Sequence, residues 1–127
     1  MNKYNNKKTI VDDIAFDSML EARAYKYLRD NPNYLIYELQ PEFELQPKFK
    51  YRGKTVRAIK YIADFMIAYK GRFYVVDAKG METPAFKIKL KMLYYTCPAI
   101  NFVLFKSIKQ FENDMEKIHN LLEKLDN

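Results

Sequence analysis

The sequence predicts a single α/β or α+β domain, built as a mixed β-sheet flanked by helices. Three observations carry this. The 127 residues are 49% apolar, with 9 Phe and 11 Tyr, which suits one chain folding around one core. The apolar periodicity changes along the chain from helical to strand-like and back. The resulting order is helix, several strands, helix, strand, then a last helix.

The elements follow in turn. The N-terminus, MNKYNNKKTIVDD, is polar; residues 1–9 are expected to be a mobile arm rather than a signal peptide. Ser18 followed by Glu21 fits a capping box that opens a helix from 19 to about 29. Asn31-Pro32-Asn33 ends it, because proline cannot continue a helix. Residues 34–39 are strand-like. A short repeat follows, ELQPEF then ELQPKF, whose prolines argue against a regular central strand. Phe43, Leu45, Phe49 and Tyr51 can share one face of an extended segment, with Lys48, Lys50 and Arg52 on the other. Arg52-Gly53-Lys54 reads as a turn. The chain then runs through Val56 and Ile59 into a strand at 61–69, and a second at 73–79, joined by Lys70-Gly71.

Thr83-Pro84 is an N-cap with proline at the first helical position. That helix is expected to reach about Thr96 and stop at Cys97-Pro98, before a strand at 100–105. The two strands and the helix between them can form a βαβ crossover. Ser107 can cap a last helix with apolar residues at Ile108, Phe111, Met115, Ile118, Leu122 and Leu125. Such a stripe more often packs on its own sheet; a homodimer seam is the alternative.

Composition excludes several classes. One cysteine, Cys97, allows no intramolecular disulfide and favours an intracellular, cytoplasmic setting. No apolar run approaches the ~18 residues of a membrane span. Three glycines and no glycine-rich phosphate loop argue against a nucleotide cofactor. The net charge of +6 is segregated. Residues 47–109 hold fourteen Lys or Arg against three acids, whereas the rest of the chain is net acidic. Lys48, Lys50, Arg52, Lys54, Arg57 and Lys60 form a block without any acid, which reads as a surface for a polyanion such as nucleic acid.

Two of those three acids interrupt apolar strands. In YIADFMIAYKGRFYVVDAKG, residues 61–80, Asp64 breaks the first run, and Asp77 and Lys79 break the second. A carboxylate within a strand is costly to bury unless something pairs with it. Asp77 and Lys79 are two apart and share a face. With Lys70-Gly71 as a two-residue loop, Tyr69 pairs with Arg72 and the register places Asp64 across from Asp77. Opposed carboxylates repel. A divalent cation with a preference for hard oxygen ligands, Mg²⁺ or Mn²⁺, offsets that repulsion. Glu21 joins the pattern: with Ala24, Tyr25 and Leu28 it follows helical spacing, on the stripe that should face the sheet. Its capping-box role alone would also explain it.

Glu21, Ala63-Asp64 and Asp77-Ala78-Lys79 together resemble the PD-(D/E)XK nucleases, and among them a small, phage-encoded, largely uncharacterised group. The similarity runs through FDSMLEARAY, VRAIKYIADF, VVDAKG and TPAFKIKLKM. The residue before the first Asp is Ala63 rather than proline. The resemblance implies a restriction-endonuclease-like core in αβββαβ order plus a C-terminal helix. It also implies Mg²⁺- or Mn²⁺-dependent hydrolysis of DNA phosphodiester bonds. Asp64 would be the central metal ligand, Asp77 the second, and the Ala78 carbonyl a third. Lys79 would orient the attacking water, and Glu21 would bind a second metal or a metal-bound water. By analogy with small resolvases of that superfamily, the substrate would be branched DNA and the enzyme a homodimer in a bacterial host cell. Lys87 and Lys91, four apart on the next helix, are the expected further DNA contacts, with Lys89 elsewhere. The competing reading is a non-catalytic, basic nucleic-acid-binding protein that uses the lysines and the aromatics Phe49, Tyr51 and Tyr61.

Overall fold

A computed structural model describes residues 8–125. It has a mixed α+β fold. The chain opens with a hairpin, β1 (Thr9–Val11) and β2 (Ile14–Phe16), and enters helix α1 (Met19–Asp30). Six strands follow: β3 (Leu35–Leu39), β4 (Glu42–Gln46), β5 (Phe49–Tyr51), β6 (Lys54–Val56), β7 (Ile59–Ile62) and β8 (Phe65–Tyr69). Then come β9 (Arg72–Ala78), α2 (Pro84–Thr96), β10 (Phe102–Phe105) and α3 (Ile108–Leu125).

The central sheet has the order β10-β9-β8-β3. Its β3–β8 and β8–β9 pairs are antiparallel, and β9–β10 is parallel across α2. Leaving aside the small hairpins, the succession α1, β3, β8, β9, α2, β10, α3 is the order expected from sequence. One sheet face is covered by α1 and α3, where Phe65, Ile67 and Val76 meet Leu28, Phe111 and Met115. The other is covered by α2 and the β4–β7 ribbon, where Val75 meets Leu45, Tyr61, Phe86 and Leu93. Alternation along β9 produces both cores: Tyr74 and Val76 belong to the first, Val75 to the second.

Local chemistry sets the boundaries. Ser18 Oγ accepts from the Glu21 backbone N–H at 3.1 Å, and Thr83 Oγ1 accepts from Phe86 N–H at 3.1 Å, so both helices start at their expected caps. Ser107 Oγ does the same for Gln110 N–H. Lys70 (φ 49°) and Gly71 (φ 75°) form the two-residue turn of the β8–β9 hairpin, with Tyr69 paired to Arg72. No helix among the described residues is long and apolar enough to cross a membrane.

Several expectations change. The single strand at 61–69 is two strands. It breaks at Ala63-Asp64, where Ala63 N–H bonds to the Pro41 carbonyl and Gln40 N–H to the Asp64 carbonyl. β7 therefore pairs with β4, while β8 joins the central sheet. The proposed common face of Phe43, Leu45, Phe49 and Tyr51 is interrupted after β4: Leu45 is buried, whereas Phe49 and Tyr51 are exposed. The last strand starts at Phe102 rather than 100. The α3 stripe packs on its own sheet, with Phe111 and Met115 fully buried. It is consumed by the core and leaves no seam for a second copy. Most of the expected N-terminal arm lies outside the described residues, but Thr9 already opens β1. That hairpin turns at Asp12 and Asp13, both at positive φ. It is tied to α1 by Arg29, whose guanidinium lies 3.0 Å from Asp12.

Candidate active site

The break between β7 and β8 puts Asp64 at the open end of the β8–β9 hairpin. The ladder's last pair is Phe65 with Val76. One step further, Asp64 turns its carboxylate along the partner strand, and its Oδ2 accepts from the Ala78 backbone N–H at 2.7 Å. The register read from sequence is therefore correct, but the two aspartates are not a ladder pair. Asp77 projects toward the α2 side and is completely buried. Its Oδ2 accepts from the Tyr61 hydroxyl at 2.5 Å, and Lys79 Nζ lies 3.7 Å from the same oxygen. Asp77 Oδ1 is buried without a hydrogen-bond partner.

Glu21 approaches from α1, on the other side of the sheet. It is buried, and its Oε2 accepts from Asp17 N–H at 3.2 Å. The reciprocal half of the capping arrangement thus falls on Asp17 rather than Ser18, as a variant of the expected box. Glu21 also reaches the Asp64 carboxyl by a side-chain hydrogen bond. Three acids therefore converge on one hairpin end. Burial, then the charge of Asp77, then the contact with Glu21 hold the Asp64 carboxyl far above the usual carboxylate range, opposed only in part by the Ala78 N–H. Burial and the neighbouring Asp77 likewise push the Tyr61 hydroxyl upward.

A cleft of about 610 Å³ opens over this end, lined by Glu21, Asp64, Ala78 and Lys79 with Ser18 and Thr83. Those last two cap α1 and α2, so the starts of both helices border it. Helix N-termini favour anionic groups. Asp77 does not line the cleft; it sits behind the Asp64–Ala78 contact. Lys79 is the shared wall between this cleft and a smaller groove of about 280 Å³ lined by Lys60, Tyr61, Phe86 and Lys89. The Lys79 ammonium stands 5.1 Å from the Phe86 ring centre, which orients it without neutralising it.

The structure thus brings Glu21, Asp64, Asp77, Ala78 and Lys79 together. The cations distribute differently from expectation. Lys48, Lys50, Arg52, Lys54 and Arg57 are exposed around the β5–β6 ribbon. Lys60 is at the groove and pairs with Glu42 at 3.3 Å. Lys87 and Lys91 are exposed on α2 but line neither depression, whereas Lys89 does. The reason is helical: Lys89 is three residues after buried Phe86, so it follows that side chain to the sheet side.

Sequence reasoning did not find Tyr61 as the partner of Asp77, since only the β4–β7 pairing turns that side chain inward. His119, set aside as non-catalytic, contacts Tyr69 beneath α3, remote from the cleft.

Asp64, Asp77 and Glu21 carboxylates with the Ala78 carbonyl are an all-oxygen set, the chemistry that Mg²⁺ or Mn²⁺ selects. The unpartnered, fully buried Asp77 Oδ1 is the atom such an ion would satisfy. Among the described residues, however, no three His, Cys, Asp or Glu side chains stand together as a ready-made metal group. Binding would therefore require the Asp64 or Asp77 carboxyl to rotate.

Comparison with known proteins adds one match. No curated protein and no solved structure matches the chain significantly. A protein-family description, "Protein of unknown function (DUF1064)", matches residues 1–112, most of the chain. With its caps, hairpin and carboxylate cluster inside the matched span, the chain belongs to the DUF1064 family.

Proposed function

We propose that this protein is a metal-dependent endodeoxyribonuclease whose centre is the open end of the β8–β9 hairpin. The observation that carries the reading is Asp77 Oδ1. It is a buried carboxylate oxygen with no partner, beside a second carboxyl and a lysine, at the edge of a cleft of about 610 Å³. A buried acid left in this state is expensive in free energy unless it serves a ligand.

Asp64 and Asp77 would hold Mg²⁺ or Mn²⁺ with help from the Ala78 carbonyl. The ion would acidify water and neutralise charge on a phosphodiester. The protein's own groups have distinct parts. Tyr61 fixes one oxygen of Asp77 and leaves the other for the ion. Glu21, anchored by Asp17, holds a second ion or an ordered water. Lys79 positions the attacking water and offsets phosphate charge. The helix starts at Ser18 and Thr83 favour the anionic strand. The similarity to PD-(D/E)XK nucleases supports this assignment of roles. It also suggests branched DNA as substrate and the cytoplasm of a phage-infected cell as the setting.

A second reading, a non-catalytic nucleic-acid-binding protein, is favoured by one observation: the carboxylates are not gathered into a ready metal group. Cleavage separates the two. A labelled four-way junction and its matched linear duplex are incubated with Mg²⁺, Mn²⁺ or EDTA. The nuclease reading predicts metal-dependent cutting that Asp77→Ala abolishes while DNA binding persists. Tight binding with no cutting by the wild type would establish the binding protein instead.

A further inference from the structure

The β5–β6 ribbon stands apart from the rest of the protein. It pairs only with itself, Phe49 with Val56 and Tyr51 with Lys54, and no other strand or helix packs against it among the described residues. Every residue from 47 to 55 is exposed. An isolated two-stranded hairpin is marginal in water. This one is continuous with the β4–β7 ribbon and closed by a tight turn at Arg52 (φ 50°) and Gly53 (φ 79°). It carries no acid from 45 to 63, and five cations lie on or beside it. Phe49 and Tyr51 are 44% and 59% exposed. Large aromatics held out in solvent among unpaired cations are a binding surface rather than a packing one.

We propose that this ribbon is an arm that enters the major groove of B-form duplex DNA, making the protein selective for duplex DNA over duplex RNA and single strands. The proposal rests on the nuclease reading only for the cleavage it would guide. Dimensions decide the groove. The two strands are about 4.8 Å apart, and three residues per strand extend roughly 10 Å. A major groove about 12 Å wide and 8.5 Å deep accepts such a ribbon, whereas a minor groove about 6 Å wide does not. The major groove of A-form RNA is too deep and narrow for side chains to read.

The two faces suit the two surfaces they would meet. Phe49, Tyr51 and Val56 share one face with Lys54, and Lys50 shares the other with Thr55. The apolar face can contact thymine methyl groups, while the cations reach the phosphate walls. The Arg52 guanidinium lies 5.3 Å from the Tyr51 ring centre at the tip, where a bidentate contact to guanine is available. Asp64 is five residues beyond Ile59, roughly 17 Å along an extended chain, so the arm would grip the duplex about half a turn from the cleft.

The test is equilibrium binding of the full chain, in EDTA to prevent cutting. The probes are a DNA duplex, an RNA duplex of the same sequence and the single DNA strand, each over a range of salt. The wild type is expected to prefer duplex DNA at least tenfold. The triple variant Lys50→Ala, Arg52→Ala, Lys54→Ala is expected to lose that preference. Its log–log salt slope on duplex DNA should fall by about 2.7, or 0.9 per lost phosphate contact. Phe49→Ser with Tyr51→Ser should weaken duplex DNA with the slope unchanged. Equal wild-type affinity for the RNA and DNA duplexes overturns the proposal. So does tighter binding of the single strand, which would make the aromatics a stacking platform, or an unchanged slope in the triple variant. A parallel cleavage assay keeps the two ideas separable. Cutting that survives arm neutralisation with unchanged affinity sinks the arm alone. Arm-dependent duplex binding by a wild type that never cuts sinks the nuclease reading alone.

Discussion

At the scale of single residues, the candidate site is an electrostatic conflict held in place by a few hydrogen bonds. Asp64 is pressed by burial, by Asp77 and by Glu21, so its proton is favoured in the folded protein far above the ordinary carboxylate range. The sign follows. Between the ordinary value and the raised one, the folded state binds a proton that the unfolded state has released. Stability therefore falls as pH rises through that window, by at most about 1.4 kcal/mol per pH unit for one group. In EDTA, Asp64→Asn should be more stable than the wild type at about pH 8, with the gap narrowing toward about pH 5. Urea unfolding at several pH values measures this, and a variant less stable throughout would contradict it. Tyr61 is a positioning residue. Tyr61→Phe strips Asp77 of its hydroxyl partner and should cost about 1–3 kcal/mol of stability without metal. It should also weaken Mn²⁺ binding, which calorimetry reads separately from folding; unchanged Mn²⁺ affinity would leave Tyr61 only a structural part.

At the scale of elements, what was legible in the sequence was local. Ser18 and Thr83 announce their helices because an N-cap is chemistry between residues three apart. The Lys70-Gly71 turn fixes a register because two positive-φ residues define one hairpin geometry. That register brings Asp64 to the level of Asp77. The strand break at Ala63-Asp64 was not legible. Ile62, Ala63 and Phe65 read as one apolar run, and only long-range bonds to Gln40 and Pro41 divide it. The same blindness hid Tyr61 and misjudged Lys89, since both depend on which neighbour covers a face. The β1–β2 hairpin was missed because its turn is Asp12-Asp13, without glycine. For α3 the spacing was right and its partner is now settled: Met115 is fully buried beneath the helix. Met115→Ala should cost about 2–5 kcal/mol. Chemical unfolding would show it as a lower midpoint in a species of unchanged mass, whereas dissociation into a smaller species would indicate a seam.

For the whole molecule, the architecture separates tasks along one chain. The central sheet and its two helical layers hold the hairpin end rigid. The cleft over it gathers three acids and a lysine, and the basic ribbon projects from the far end of β4–β7. A homodimer, which cutting a symmetric junction would call for, has to form away from the α3 stripe. Static or multi-angle light scattering gives the mass directly, with and without a junction. The central claim is that the hairpin end is a cation site. Its most direct test is anomalous scattering from crystals grown with Mn²⁺. The account predicts a peak bounded by the Asp64 and Asp77 carboxylates and the Ala78 carbonyl, absent from Asp77→Ala crystals. A fully formed cleft with no peak there, or with Mn²⁺ bound only at unrelated surface acids, would contradict it.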